Sequence, residues 1–330
     1  MAGFDTIIGQ EHIVEHMKGA LSSGRVSHAY LICGERSSGK EYIAKIFAQA
    51  LQCQSEQDKP CGECKSCIQA EAGSHPDIIH IVHEKPATIA VDEIREQLVY
   101  DINIRPYSSK WKIYICNEAE KMNTQAQNAL LKTLEEPPEY GIVLLLATSA
   151  EAMLPTIRSR CVEMTMRPVR DSQMREYLTK ELQMGSDKAD LCIAFARGNV
   201  GKARLLALSE EFENVRHDAL SLLRNIRNME IGEVAAAIKH ISEYKFETTE
   251  YLDIISVWYR DVLMFKATRD PDGLIFHDEI QYIRAVADRS TYEGIERIIE
   301  AIGTATRRLK ANVSYELVME LLMLTIQENS

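Results

Sequence analysis

A glycine-rich segment near the N-terminus has the spacing of a phosphate-binding loop. It runs Gly34-Glu35-Arg36-Ser37-Ser38-Gly39-Lys40 and fits the pattern G-x-x-x-x-G-K. In this motif backbone N–H groups hold the phosphates, the lysine reaches the β- and γ-phosphate oxygens, and a following serine or threonine hydroxyl ligates Mg²⁺. Glu41 takes the place of that hydroxyl here. Gly34, Gly39 and Lys40 are therefore predicted to form a vestigial or weak nucleotide site.

A second position for a magnesium ligand is also altered. The apolar stretch Ile113-Tyr114-Ile115-Cys116 is followed by Asn117 and Glu118. In P-loop ATPases an Asp–Glu pair at this place holds Mg²⁺ and polarises the attacking water, and a neutral amide is a poorer Mg²⁺ ligand than a carboxylate. Each change alone has another interpretation, because Glu41 can point into solvent and Asn117 can ligate weakly through its carbonyl oxygen.

Together the two changes remove both protein contacts to Mg²⁺, on which phosphoryl transfer depends. We therefore predict no efficient hydrolysis of ATP at this site. Binding of ATP or ADP without turnover stays open, because Lys40 and the backbone of the loop are present.

Four of the eight cysteines form a cluster, Cys53-x7-Cys61-x2-Cys64-x2-Cys67. Three thiols at this separation can fold around one ion and a fourth completes a tetrahedral shell, which predicts a closed, structural Zn²⁺ site. An iron–sulfur cluster is a competitor, but its bacterial pattern continues with a further cysteine and a proline that this sequence lacks. Disulfides are disfavoured in the cytoplasmic chain that we expect.

One arginine has a catalytic interpretation. Arg160 stands in Ser159-Arg160-Cys161, shortly after an apolar stretch that ends at Thr148. A guanidinium can meet the charge that spreads over the oxygens of a transferring phosphoryl group. From spacing alone, an ordinary surface or ion-paired arginine is the more common explanation. Arg158, two residues earlier, is interpreted as structural.

The N-terminal half must position these residues. Residues 1–168 alternate strand-like and helix-like segments, which predicts a parallel sheet flanked by helices on both faces. Helices are predicted at about 41–51, after the phosphate loop, and at about 123–136, where Pro137-Pro138 stops the helix. The cysteine insert at about 53–67 precedes the second strand. The five predicted strands are 29–33, 77–82, 112–116, 141–148 and 162–166.

Beyond Pro168 no strand pattern recurs. Residues 169–207 are predicted to form a small helical lid with a break at Gly198-Asn199-Val200-Gly201. Residues 208–330 are helix-patterned, with apolar residues at three- and four-residue spacing in 248–268 and 291–328. The predicted fold class is an α/β core, then a lid, then an all-α domain.

Composition narrows the function. With 330 residues, two or three domains are expected. The formal charge of −11 argues against a chain that grips nucleic acid by itself. Its apolar runs are too short to span a membrane and its N-terminus lacks the pattern of a signal peptide, so we expect a cytoplasmic protein without a membrane partner.

Two further motifs accompany Ser159-Arg160-Cys161 and the four-cysteine insert, namely Gly9-Gln10 and Leu130-Leu131-Lys132-Thr133-Leu134-Glu135-Glu136-Pro137-Pro138. Taken together, these motifs resemble the AAA+ subunits of bacterial DNA polymerase III clamp loaders. The resemblance covers the whole chain. It implies an AAA+ core at 1–168, a helical lid at 169–207 and a helical collar for oligomerisation at 208–330.

Within this family the sequence resembles the delta-prime type of subunit. The gamma and tau motor subunits carry complete magnesium motifs, whereas delta-prime subunits usually do not and yet keep the arginine. The resemblance implies that Arg160 acts in trans on ATP bound by a neighbouring motor subunit. Arg204 matches a sensor-2 arginine that contacts a γ-phosphate, and a salt-bridge role for it is equally open.

The implied partners are the gamma/tau motor subunits and a delta subunit in a hetero-pentameric ring, with the sliding clamp and primed DNA contacted mainly through the complex. Two other functions stay open. One is a motor subunit that hydrolyses ATP in its own site despite Glu41 and Asn117. The other is a zinc-dependent AAA+ adaptor in DNA repair.

Overall fold

The computed structural model describes residues 3–56, 58–242, 248–311 and 313–330. Position 57 of the predicted cysteine insert and positions 243–247 and 312 of the predicted collar lie outside the described residues. The chain divides into two compact units, Met1–Met174 with Gly198–Lys202 and Arg175–Arg197 with Ala203–Ser330. In the described ranges no helix has both the length and the apolar character that a membrane span requires.

Five parallel strands form one sheet in the first unit, in the order β2-β3-β4-β1-β5. All five predicted strands are confirmed, with bounds that differ by one residue at most. Every residue of the three central strands is buried, as is typical of a parallel sheet covered on both faces. The strands are β1 (Ala29–Cys33), β2 (Ile78–Ile81), β3 (Lys112–Cys116), β4 (Gly141–Ala147) and β5 (Val162–Thr165).

Helices connect these strands, and the two predicted ones are confirmed as α2 and α5. The helices up to β5 are α1 (Glu11–Ser23), α2 (Lys40–Gln52), α3 (Lys65–Glu71), α4 (Val91–Ile94), α5 (Thr124–Glu135) and α6 (Pro155–Arg158). A π-helical turn, Arg95–Tyr100, continues α4. Short 3₁₀ turns lie at Phe4–Thr6, Asp101–Asn103, Ala119–Lys121 and Ala150–Ala152.

Two hydrophobic clusters cover the two faces of the sheet. Successive strand residues point to opposite faces. Leu31 and Leu145 therefore pack on the side that includes α5, whereas Ile32 and Leu144 pack on the side that includes α1 and α2. Both faces of the sheet are therefore buried, and the loops that follow the strands lie at its carboxyl edge.

After β5 the described residues form helices joined by turns and loops, with no further strand. These helices are α7 (Asp171–Lys180), α8 (Ser186–Ala196), α9 (Val200–Leu208), α10 (Glu210–Asn225), α11 (Ile231–Ser242), α12 (Thr248–Thr268), α13 (Ile280–Arg289), α14 (Tyr292–Lys310) and α15 (Tyr315–Asn329). Short 3₁₀ turns lie at Ile226–Asn228 and His277–Glu279. The apolar pattern at 248–268 is α12, and that at 291–328 is divided between α14 and α15. An aromatic group of Phe195, Trp258 and Phe276 forms part of the core of the second unit.

Candidate functional site

The predicted nucleotide residues meet at the carboxyl edge of the sheet. Because β4 lies between β1 and β3, the loops that follow these three strands come together, as expected for a ligand site on a parallel sheet. They line a cavity of about 650 Å³. Gly39, Lys40, Glu41 and Asn117 all line this cavity. Gly34 lies at the base of the loop, where an added Cβ would be 2.9 Å from Ser38 Oγ.

The ammonium group of Lys40 is bound to the loop itself. Its Nζ donates to the backbone oxygens of Gly34 and Glu35, each at 2.6 Å. Burial lowers the pKa of Lys40, and the nearby carboxylate of Glu120 opposes this effect. The lysine that would reach the phosphate oxygens of a nucleotide therefore already has two oxygen acceptors from its own chain.

Asn199 and Gly201 contact the phosphate loop. In the sequence they were only part of a predicted break between helices. Asn199 Nδ2 donates to the backbone oxygen of Arg36 at 2.8 Å, while Asn199 Oδ1 accepts from the N–H of Lys202 at 3.0 Å. A Cβ added at Gly201 would lie 1.8 Å from the backbone oxygen of Ser37, so this close approach requires glycine. The only signal in the sequence was the pair of glycines around Asn199.

Glu41 forms an ion pair with a lysine of its own helix. Its Oε1 lies 2.6 Å from Lys45 Nζ, one turn further along α2. The hydrogen bond from Lys45 lowers the pKa of Glu41, and a weaker contribution comes from the side chain of Asn117. The (i, i+4) spacing on α2 was the available signal for this pair. This carboxylate would have to leave Lys45 before it could bind Mg²⁺.

Asn117 offers one unengaged oxygen in the same cavity. Its Oδ1 is buried and has no hydrogen-bond partner among the described residues. Positions 41 and 117 therefore offer one amide oxygen and one carboxylate that is paired with Lys45. These two positions match Mg²⁺, which prefers several free oxygen ligands, less well than a hydroxyl and an aspartate would.

The carboxylate of Glu118 is paired with Lys121 and lies near His83. The backbone of Glu118 has a φ of 49°, and its carboxylate lies 2.5 Å from Lys121 Nζ and 3.7 Å from His83 Nε2. The hydrogen bond from Lys121 lowers its pKa. Glu120, which sequence analysis did not single out, also lines the cavity and accepts from the N–H of Thr148 at 3.3 Å.

Arg160 is not among the residues that line this cavity. One third of its side chain (34%) is exposed, and its Nη2 lies 2.7 Å from Oε1 of Glu135. Its Nη1 donates to the backbone oxygen of Thr156 at 2.9 Å and to Ser159 Oγ at 3.2 Å. No local sequence pattern indicates the contact with Glu135, because the two residues belong to different elements. Arg158 donates to Glu163 instead, at 3.3 Å.

Arg204 lies on α9, is exposed and belongs to the second compact unit. Its predicted contact with a nucleotide therefore stays a prediction.

The four clustered cysteines come together and can hold a metal ion. The Sγ atoms of Cys53, Cys61, Cys64 and Cys67 all lie within 4.8 Å of one another. Cys61 and Cys67 Sγ are 4.0 Å apart, close to the roughly 3.8 Å that separates sulfurs around a tetrahedral Zn²⁺. This donor set fits a closed site in which the metal has a structural role.

Backbone groups prepare these sulfurs for a cation. The N–H groups of Cys61, Cys64 and Cys67 donate to the Sγ atoms of Cys53, Cys61 and Cys64 respectively, each at 3.4 Å. The backbone hydrogen bond from Cys64 and a further one from Glu63 lower the pKa of Cys61 to about 6. Burial raises the pKa of Cys53 and Cys67. Bound Zn²⁺ favours the thiolate form of each of its cysteine ligands.

Gln49 of α2 anchors the cluster to the core. Its Nε2 donates to the backbone oxygen of Cys67 at 3.0 Å, and Gln49 is buried. Since Cys53 directly follows α2, one helix connects the phosphate loop with the cysteine cluster.

Two family descriptions account for most of the chain. The model described as "DNA polymerase III, delta subunit" matches residues 9–170, and that of "DNA polymerase III, delta subunit, C terminal" matches residues 210–328. The delta-prime subunit of DNA polymerase III from Bacillus subtilis is 29% identical over 97% of this chain and 96% of its own length. The chain belongs to the clamp-loader subunits of DNA polymerase III.

A further relative and a solved structure are also similar to parts of this chain or to all of it. The tau subunit of DNA polymerase III from Bacillus subtilis is 28% identical over 93% of this chain, which spans 58% of the length of that relative. A solved structure of a gamma subunit-related protein from Thermotoga maritima aligns with 95% of this chain and 99% of its own, at 18% identity and a TM-score of 0.46.

Proposed function

We propose that this clamp-loader subunit is of the delta-prime type, does not hydrolyse ATP itself and supplies Arg160 to ATP bound by a neighbouring motor subunit. The observation that carries the proposal is the contrast between two sites. In the chain's own cavity a carboxylate paired with Lys45 stands at position 41, and an amide stands at position 117. Arg160 lies outside that cavity, and one third of its side chain is exposed, so a neighbouring subunit could reach it.

The proposed partners follow from the same comparison. Gamma/tau motor subunits would supply the ATP site, a delta subunit would complete a hetero-pentameric ring, and the sliding clamp and primed DNA would be met mainly through that ring. The chain's net charge of −11 supports a modest part for its own contacts with DNA. Zn²⁺ at the four cysteines would stabilise the insert, and Arg204 would belong to the proposed helical lid.

The test compares two arginines in a complex reconstituted with motor and delta subunits. Arg160→Ala is expected to leave assembly intact and to slow turnover at the site it serves by roughly a thousandfold, since an arginine finger stabilises the charge on the transferring phosphoryl group. The complex then loses that site's share of DNA-stimulated ATP hydrolysis. Arg158→Ala, which removes the same charge two residues away, should not affect the rate. Equal rates for wild type and Arg160→Ala would overturn the proposal.

A second candidate is a motor subunit active in its own site, favoured by the retained Lys40 and by the size of the cavity, about 650 Å³. Single-turnover hydrolysis by the isolated chain separates the two functions. We expect no turnover that depends on Lys40, so wild type and Lys40→Ala should behave alike. Faster hydrolysis by wild type would establish the motor function instead.

A third candidate, a zinc-dependent adaptor in DNA repair, predicts a different assembly. Such a protein would not form a ring with motor and delta subunits. Size-exclusion chromatography of the mixture tests it, and we expect the chain to join the ring.

A further inference from the structure

Glu135 contacts the proposed finger arginine from a helix end. It is the last residue of α5, and its Oε1 lies 2.7 Å from Arg160 Nη2. A carboxylate at the negative end of a helix dipole is unfavourable unless a cation is near. The guanidinium group of Arg160 supplies that cation. The side chain of Glu135 is 49% exposed, so its ion pair with Arg160 is not a buried one.

The turn that carries Arg160 fixes the other side of the guanidinium group. The N–H of Arg160 donates to the backbone oxygen of Ile157 at 3.0 Å, and Ser159 Oγ donates to that of Thr156 at 3.1 Å. Nη1 of Arg160 donates both to Thr156 and to Ser159. One terminal nitrogen is thus bound by its own turn, while the other faces Glu135, so the plane of the group is held at two points.

Donors remain for a ligand. An arginine has five N–H groups in a fixed plane. Among the residues that the structure describes, no acceptor is recorded for Nε of Arg160, and the contact with Glu135 involves only one oxygen atom. The guanidinium group can therefore offer N–H groups to a phosphate oxygen without first leaving Thr156 and Ser159.

Building on the trans role of Arg160, we propose that Glu135 is a positioning residue for this arginine. It restricts the guanidinium group to one orientation, with its remaining N–H groups directed at the neighbour's ATP. Preorganised charge accelerates a reaction because it need not reorient when the transition state forms. Glu135 itself does not touch the nucleotide in this arrangement.

The test uses the complex reconstituted with motor and delta subunits. The measured quantity is the contribution to kcat for ATP hydrolysis that is lost in Arg160→Ala. Glu135→Gln keeps the shape of the side chain and removes its charge. We expect it to lower this part of kcat about threefold to tenfold with KM for ATP unchanged, since a half-exposed ion pair stabilises one orientation only modestly. Glu135→Asp, which restores the charge, should recover most of the rate.

Two comparisons make the result specific. Glu136→Gln is the matched control, because Glu136 is an exposed neighbouring carboxylate with no recorded ion pair among the described residues. It should leave kcat unchanged. In an Arg160→Ala background, Glu135→Gln should produce no further loss, whereas a merely structural role would give the same loss with and without Arg160.

Three results overturn the inference. They are an unchanged kcat in Glu135→Gln, an increased kcat, which would make Glu135 a competitor for the arginine, and a loss that persists without Arg160. If Arg160→Ala lowers the rate and Glu135→Gln does not, only the role of Glu135 falls. If Arg160→Ala itself has no effect, the proposed function falls with it.

Discussion

At the scale of single residues, charge in the nucleotide cavity is balanced within the protein. Its lining combines three cationic side chains with three carboxylates, namely Arg36, Lys40, Lys45, Glu41, Glu118 and Glu120. A nucleoside triphosphate carries several negative charges, which a motor subunit offsets with Mg²⁺. Lys40 already donates to two backbone oxygens of its own loop, and Lys45 is already paired with Glu41. This balance explains why we expect weak binding at best.

His75 gives a residue-scale prediction about pH. It is buried, its Nε2 lies 3.0 Å from Ser66 Oγ, and its Nδ1 accepts from the N–H of Asp77 at 3.1 Å. Burial lowers the pKa of His75. The unfolded chain therefore takes up a proton first as the pH falls, and the contribution of neutral His75 to stability is lost below about pH 6.5.

The measurement is an NMR titration of ¹³C-labelled histidine in the zinc-saturated protein, together with unfolding free energies between pH 7.5 and 6. The midpoint for His75 should lie below that of a free histidine, and His75→Gln should flatten the slope of stability against pH. A midpoint above about 6.5 would contradict the prediction.

At the scale of elements, α2 joins two sites that the sequence presented separately. It begins at Lys40 in the phosphate loop and ends at Gln52, next to Cys53. Gln49 on the same helix holds the backbone of Cys67. The cysteine insert is thus attached at the far end of the helix whose first turn faces the nucleotide cavity.

Replacing one cysteine should release the insert without unfolding the sheet. Cys64→Ser is expected to lower the zinc content and to raise hydrogen exchange in about residues 53–71, because metal binding supplies most of the folding free energy of so small a module. Cys161→Ser is the control, since Cys161 lies outside the cluster and is also only partly buried. Zinc content and thermal stability equal to wild type in Cys64→Ser would refute the metal assignment.

The elements that local sequence patterns encode were predicted well. Continuous apolar runs predict β1, β3 and β4, and Pro137 predicts the end of α5; the structure confirms these elements. Contacts between distant segments were not predictable, because nothing local to Glu135 points to Arg160 and nothing local to Gly201 points to Ser37. The same limit applies to Asn199, whose role depends on the position of the phosphate loop in space.

At the scale of the whole molecule, α15 has apolar residues on more than one side. Val318 and Leu322 are buried in the second unit. Leu317, Leu321 and Leu324 are on average nearly half exposed, at 52%, 45% and 38%, and their spacing places them along one stripe of the helix. A helix with apolar residues all round is normally covered. This stripe supports the role in ring assembly that the sequence resemblance predicts for residues 208–330.

Leu321→Glu tests that role. The charge should weaken association with the motor and delta subunits at least tenfold while the isolated chain keeps its helical content and melting temperature, because position 321 is half exposed. Ile231→Glu places the same charge on another exposed apolar residue of the second unit and should assemble normally. Association and stability are read by mass photometry and thermal unfolding. Normal ring formation by Leu321→Glu would remove α15 from the interface.

The contacts that Lys40 and Gly201 make with the phosphate loop affect how this subunit could regain ATP hydrolysis. Restoring threonine at 41 and aspartate at 117 would return both magnesium ligands in two steps. Lys40 would still be bound to Gly34 and Glu35, and Gly201 would still press against Ser37. Under the proposed function, Glu41→Thr and Asn117→Asp would therefore not return hydrolysis by themselves. We expect that a return to ATP turnover would also need changes around Lys40 and Gly201, which makes the loss of hydrolysis difficult to reverse.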